Sequence, residues 1–441
     1  MPETIDIVHS LYGGFFERGV RYFFPDAQLD ICGTAPEIRP SLTFHSHVDG
    51  HVELDWMGTR YHIGQNGRPF TEDQLRLLGA IGGVLSARYR SIFFADSAAS
   101  TVRMFEGLQE DRFVSAFLDH APYLDGGRLP NDRDVVADAI EVLRESSLIT
   151  YENRRISTGV ILLGASEDPF HSVPGLPGGA LPYTASLVTI KSFHRLCDGL
   201  HTVFLVNNQG MLVDLVDIER FAGASGATRL PAPSPARYRA HCLATLYGGH
   251  ICLALTPNGE IKVFAGGVQV FHFLEGRWRL TDITEKYHEF HQAVGHARLA
   301  ERLFSAALNL AENRRGALFV LLDDPAAAAE LVTAADLLGD SPSDSAAKAR
   351  VHYLLYGKSV LELELSVLQS IARVDGGILL DRSGTLLAFG AILRHTVAPL
   401  APQEGGRTTA AIHASRFGLA LKISEDGMVS FYRGGAHIWE L

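Results

Sequence analysis

Two kinds of cluster in this sequence carry side chains able to do chemistry. In the first, His45-Ser46-His47-Val48-Asp49-Gly50-His51 gathers imidazoles and a carboxylate, ligand types that suit zinc or manganese. Gly50 interrupts the spacing of a His-x-His-x-Asp-His metal motif. Alternation puts His45, His47 and Asp49 on one side of a strand that enters a tight turn, with Glu53 and Asp55 following. These residues read as the solvated face of a hairpin. The second kind sets an Asp-Gly step ahead of cations further along. Cys197-Asp198-Gly199 precedes Arg237-Tyr238-Arg239, and Val374-Asp375-Gly376-Gly377 precedes Arg407 and then Glu425. Asp-Gly is a common turn dipeptide. Arg237 and Arg239, taken as a strand start, would point the same way, toward either phosphate or solvent. By themselves Arg407 is a solvated surface residue and Glu425, beside Asp426-Gly427, a hairpin residue.

The second pattern recurs because the last third of the chain reads as a rewritten copy of the middle third. Glu152-Asn153-Arg154-Arg155 precedes the apolar run Gly159–Leu163, and Glu312-Asn313-Arg314-Arg315 precedes Gly316–Leu322. Both steps read as helix ends that lead into strands. Asn258-Gly259 and Asp426-Gly427 lead into Gly266-Gly267 and Gly434-Gly435. The interval from Gly259 to Gly427 equals that from Gly266 to Gly434. Two copies of one unit can face each other across a pseudo-twofold axis and build one site from two halves.

The elements that must hold these residues follow from periodicity. Ser41–Trp56 alternates around Asp49-Gly50 as a hairpin, and Asn66-Gly67 marks a further turn. Thr71-Glu72-Asp73-Gln74 is a capping box ahead of Leu75, Leu77, Leu78 and Ile81. Val135, Val136, Ala139, Ile140, Val142 and Leu143 have helical spacing, and a long helical stretch runs from Tyr287 to Glu312. Pro122–Pro130, Pro169–Pro182 and Pro231–Pro235 are loops. The expected organisation is α/β: an α+β domain at 1–127, then two tandem mixed-sheet units with packed helices at 128–285 and 286–441. The 441 residues suit about three units. No apolar stretch reaches the length that crosses a bilayer, and Met1–Asp30 is not a secretion signal. A net charge of −11 argues against a nucleic-acid partner but not against a nucleotide. The four cysteines form no CxxC pair and read as reduced, mostly buried thiols of a cytoplasmic protein. The last repeat strand ends at Leu441, so no downstream effector domain is expected.

Within 295–441 four segments in register resemble the bacterial diadenylate cyclase (DAC) domain family. Val374–Leu379 is similar to its Asp-Gly-Ala motif. Gly405–Ala411 stands where the family has Gly-Thr-Arg-His-Arg-Ala-Ala. Ile423–Gly427 matches its Val-Ser-Glu-Glu-Thr-Gly stretch, and Arg315–Val320 matches its Ile-Gly-Ala-Leu-Ile-Val strand. The family joins two ATP molecules into cyclic di-AMP, with Mg²⁺ or Mn²⁺ assisting, between two domains that meet face to face.

The resemblance implies that Asp375 handles metal and hydroxyl, and that Arg407 contacts phosphate. Glu425 is then a second carboxylate for metal or base chemistry, and Gly376, Gly377, Thr408, Thr409 and Ser424 line the nucleotide. Asp198, Arg237 and Arg239 are their counterparts in the first copy. The sequence departs from the family at Arg407-Thr408-Thr409, which replaces Arg-His-Arg and removes two cations. The first copy keeps Arg-x-Arg but has no Glu in Thr256-Pro257-Asn258-Gly259. The expectation is an intrachain pseudo-dimer that makes cyclic di-AMP or a related cyclic dinucleotide, with the segment 1–127 acting as an input region. Pairing between chains is left open. The alternatives are a catalytically silent nucleotide sensor of the same fold, and an interaction protein that keeps only the fold.

Overall fold

A computed structural model describes residues 2–48, 50–65, 68–93, 107–120, 134–164, 181–190, 192–224, 226, 228–339, 347–394 and 405–441. The Asn66-Gly67 turn, the Pro122–Pro130 connector and 169–180 of the first Gly/Pro loop lie outside them. The architecture is mixed α/β with three main sheets. The chain divides into two compact units, one of Met1–Leu230 with Ala240–Asp282, the other of Pro231–Arg239 with Ile283–Leu441.

The first unit opens with helix α1 (Pro2–Phe23) and strands β1 (Gln28–Thr34), β2 (Thr43–Val48), β3 (His51–Trp56) and β4 (Thr59–Gly64), followed by α2 (Glu72–Phe93). The strands form an antiparallel sheet in the order β1-β4-β3-β2. In β3 the expected alternation holds: Val52, Leu54 and Trp56 are buried, while His51, Glu53 and Asp55 face outward. Phe16 of α1 packs on Trp56 and Tyr61 at 5.8 and 5.5 Å between ring centroids. The capping box forms at the start of α2, with Gln74 N donating to Thr71 Oγ1 and Thr71 N to Gln74 Oε1, both at 3.1 Å.

Helices α3 (Gln109–His120) and α4 (Val135–Ser147) follow, then the hairpin of β5 (Thr150–Tyr151) and β6 (Arg154–Arg155). All six apolar α4 positions expected from spacing are buried. Next come β7 (Thr158–Leu162), β8 (Leu181–Pro182), β9 (Thr202–Val206), β10 (Met211–Asp217) and α5 (Ile218–Ala224). Helix α6 (Arg239–Ala244) precedes β11 (Ile251–Leu255), β12 (Ile261–Ala265), β13 (Val268–Leu274) and β14 (Arg277–Leu280). These build a sheet in the order β14-β13-β12-β11-β7-β9-β10-β8. Residues on either side of position 127 share one core, in which Phe23 meets Phe113 and Phe271, and Phe117 meets Phe271 at 5.0 Å.

The second unit holds α7 (Ile283–Val294), α8 (Ala297–Glu312), β15 (Ala317–Leu322), α9 (Ala347–Tyr353), α10 (Leu365–Ala372), β16 (Gly377–Asp381) and β17 (Leu386–Ala391). Helix α11 (Gly406–Ala414), β18 (Gly418–Ile423), β19 (Val429–Arg433) and β20 (Ala436–Glu440) complete it. The expected helix from Tyr287 to Glu312 is two helices. Gly295 ends α7 at φ +71, a conformation that favours glycine, and the His296 side chain then caps α8 by accepting from Leu299 N. Around one face of the sheet Phe290 packs on Phe431, and Phe304 on Trp439. On the other, Ala410, Ala411 and Ala414 let α11 lie close to Leu318, Val320 and Ala420.

The duplication seen in sequence is a duplication of fold. The sheet order β17-β16-β15-β18-β19-β20 repeats β10-β9-β7-β11-β12-β13. In each copy only the second and third strands of that series run parallel. Registers repeat as well: Ile251 pairs with Ala265 and Leu419 with Arg433, both partners displaced by the interval that separates Gly259 from Gly427. Even a β-bulge recurs, between Val263 and Phe264 and between Phe431 and Tyr432.

Within the first unit a buried polar tie joins α3, α4 and β14. Asp111 accepts from Trp278 Nε1 at 2.7 Å and pairs with Arg144 Nε at 2.8 Å. Burial pushes the Asp111 carboxyl above its ordinary range, against the pull of Trp278 and Arg144. Asp111→Ala should cost about 2–3 kcal/mol in urea unfolding, because both donors lose their acceptor, whereas Glu110→Ala, outside the tie, should change stability far less.

Candidate functional site

The strand pairings of the second unit bring three distant residues to one end of its sheet. β15 runs parallel to β16 with Phe319 opposite Ile378, and antiparallel to β18 with Ala317 opposite Ile423. The start of β15, the start of β16 and the end of β18 therefore lie side by side. Asp375 stands just before β16, Glu425 in the turn after β18, and Arg407 in the first turn of α11.

The Arg407 guanidinium joins the two carboxylates. Its Nη1 donates to Glu425 Oε1 at 2.9 Å, and its Nη2 lies 3.8 Å from Asp375 Oδ1. The Asp375 side chain is 98% exposed, Glu425 69% and Arg407 37%. Gly316 makes room for the arginine: a Cβ there would stand 2.2 Å from Arg407 Nη1. Arg314 Nη1 donates to the carbonyl of Asp426 at 3.1 Å and fixes the turn that carries Glu425. Beside Arg407, Thr408 Oγ1 accepts from Lys422 Nζ at 3.2 Å.

Gly316, Arg314 and Lys422 were not singled out as site residues from the sequence. The repeated Glu-Asn-Arg-Arg step was a signal for the arginine, since Arg155 Nη1 makes the same bond to Asn258 O at 2.9 Å. The step differs locally. In the first copy Glu152 and Asn153 form the hairpin turn, at φ +50 and +62, whereas in the second Asn313 is the C-cap of α8. Lys422 was legible only as a cation inside an apolar strand.

The remaining expected residues play more local parts. Gly376 adopts φ +111, and a Cβ there would meet Ala391 N and O at 2.6 Å, so the glycine serves the close approach of β17. A Cβ on Gly377 would meet Leu393. Ser424 closes the turn, its N–H donating to Met428 O and its Oγ accepting from Met428 N. Thr409 lies in the first turn of α11 next to Thr408.

The first copy is arranged differently. Asp198 Oδ1 accepts from the N–H groups of Leu200, His201 and Thr202 at 2.7–3.0 Å, and Oδ2 pairs with His201 Nδ1 at 2.8 Å. Burial would raise this carboxyl, but the hydrogen bonds from Thr202, His201 and Leu200 outweigh it and hold it well below the ordinary range. Arg237 and Arg239 do not start a strand. Pro235 precedes a 3₁₀ turn of Ala236–Tyr238, and Arg239 opens α6. Both are exposed, and they fall in the other compact unit from Asp198. At the offset that relates Gly259 to Gly427, Arg239 corresponds to Arg407, and Pro257 to Glu425. His241, at the position of Thr409, is buried against Gly199 O at 2.9 Å.

In the N-terminal hairpin His45 pairs with Asp55 at 2.6 Å across β2 and β3, and Arg60 holds the same carboxylate at 2.8 Å. His51 stacks on His62 at 4.5 Å. Among the described residues no group of three metal-ligating side chains converges.

No protein-family model matches the chain, and no curated protein matches it. The solved structures that are partly similar to the chain include the following two. One is a hypothetical membrane spanning protein from Bacillus cereus, 21% identical over 34% of this chain and 69% of that one, with a TM-score of 0.26. The other is a double mutant of DacA from Staphylococcus aureus, 17% identical over 32% of this chain and 85% of that one, with a TM-score of 0.24. At these scores neither likeness decides fold or function.

Two outcomes follow from the geometry. In Gly316→Ala, a crystal structure should show the Arg407 guanidinium moved off Glu425, with the thermal midpoint within a few degrees of wild type because only a side-chain end must shift. Asp198 stabilises the fold while ionised, so its contribution is present above the ordinary carboxylate range and is lost as the pH falls below it. Asp198→Ala should therefore lower the urea midpoint at pH 7, and the gap to wild type should narrow between about pH 5 and pH 2.

Proposed function

We propose that the second repeat binds ATP and transfers its nucleotidyl group, the 3′-hydroxyl of each nucleotide displacing pyrophosphate from the α-phosphate of the other, to form cyclic di-AMP or a related cyclic dinucleotide. The observation that carries this reading is the convergence of Asp375, Arg407 and Glu425 at one sheet end, from separate elements spread over 375–425. Two exposed carboxylates around one guanidinium suit a reaction in which phosphate charge and a hydroxyl proton must both be handled.

The donor set fits a divalent cation that arrives with its nucleotide. Mg²⁺ is commonly held by one or two carboxylates together with substrate phosphates, and Asp375 and Glu425 are the two that this site offers. When bound, Mg²⁺ or Mn²⁺ would neutralise charge on the phosphate oxygens. Arg407 turns from its carboxylates to the phosphate, where a charge-assisted hydrogen bond is about twice as strong as a neutral one. Asp375, nearly fully exposed, accepts the proton of the attacking hydroxyl. Thr408 donates its O–H to a phosphate oxygen.

Joining two nucleotides requires both to be held in line. Asp198 is saturated by its own turn, and Pro257 replaces Glu425 in the first copy. The second nucleotide is accordingly assigned to the second repeat of another chain. Arg407-Thr408-Thr409 carries one cation, which supports a second reading, nucleotide sensing without turnover.

Purified protein incubated with ATP and Mn²⁺ or Mg²⁺ should yield cyclic di-AMP by mass spectrometry, with specific activity rising with protein concentration. Asp375→Asn should lower the rate by about a hundredfold or more, the scale of a lost general base. ATP binding without product in either metal would leave the sensing reading, and absence of ATP binding would end both.

A further inference from the structure

β18 is an apolar strand with one cation in it. Leu419, Ala420, Leu421 and Ile423 are buried, while Lys422 is partly buried on the face that α11 covers. Directly opposite it stand Leu318 of β15 and Ser430 of β19. Ser430 is fully buried and donates to Glu440. The Lys422 ammonium donates to Thr408 Oγ1 at 3.2 Å, and no carboxylate among the described residues pairs with it. A partly buried ammonium with no paired carboxylate is free to take an anionic partner by a charge-assisted hydrogen bond.

The neighbouring charges sharpen this. Arg407, the residue before Thr408, is already neutralised by Asp375 and Glu425. The cluster thus has one cation with two carboxylates and one with none. Because Thr408 Oγ accepts from the lysine, its own O–H is left to donate outward. The matching position in the first repeat is Ala254, enclosed in β11, and the lysine of that repeat, Lys262, stands across from it on β12 beside Glu260 at 4.0 Å.

We infer that Lys422 is a phosphate-binding residue of this site, contacting the anionic phosphate chain of the nucleotide together with Thr408. This rests on the nucleotide reading above. It places on the strand a cation that the helix segment Arg407-Thr408-Thr409 lacks. The lysine is a point charge on a flexible stem, so it suits several phosphate oxygens in turn rather than one bidentate geometry.

The test compares ATP and AMP affinities by calorimetry on the full chain, in wild type, Lys422→Met, Lys422→Gln and Lys422→Arg. Methionine suits an apolar strand, so the unliganded thermal midpoint of Lys422→Met should match or exceed that of wild type. Wild type should prefer ATP. Lys422→Met and Lys422→Gln should narrow the ATP-to-AMP preference by about tenfold, as expected for one lost charged hydrogen bond, and Lys422→Arg should keep most of it. An unchanged preference in both neutral variants overturns the role of Lys422 while leaving ATP binding intact. A wild-type protein that binds neither nucleotide overturns the nucleotide reading and this inference with it.

Discussion

Strand β15 pairs in parallel with β16 on one side and antiparallel with β18 on the other, and the second unit is organised around that double pairing. One parallel neighbour and one antiparallel neighbour place two strand beginnings and one strand end at the same edge. Every polar residue of the candidate site enters from one of those ends or from the helix above them. The strand can hold this position because its residues are buried on both faces. Hydrogen bonding to both neighbours then leaves none of its backbone to be satisfied elsewhere.

The same arrangement exists in the first repeat down to a bulge, yet the chemistry at its edge is different. There the carboxylate of Asp198 is consumed by three backbone N–H groups and an imidazole. A buried histidine closes on Gly199. In the second repeat the equivalent edge leaves Asp375 almost wholly in solvent, opposite an arginine. Duplication preserved the sheet because its register depends on many mutually supporting apolar pairs, whereas the edge can change residue by residue without disturbing them.

Charge at this edge is unevenly distributed. Arg407 is shared between two exposed carboxylates, an arrangement of modest strength in water. Gly316 is what lets the guanidinium lie between them, since any side chain there would occupy its place. Lys422 approaches from β18 on the face that α11 covers, and its ammonium meets Thr408.

Much of this was legible in the residues alone. Period-two alternation located β3, spacing located α4, and the Thr71–Gln74 box fixed the start of α2, because each is decided by neighbours within a few positions. The internal repeat was also in the sequence, and so were Asp375, Arg407 and Glu425 as candidates. The break at Gly295, the helical rather than extended setting of Arg237 and Arg239, and the local use of Asp198 were not. Those depend on backbone angles and on which donors happen to surround a carboxylate. The parts of Lys422 and Gly316 were likewise decided only by tertiary structure. A lysine in an apolar strand and a glycine before one have no meaning until pairing between strands far apart in the chain sets a hydroxyl beside the first and a guanidinium over the second.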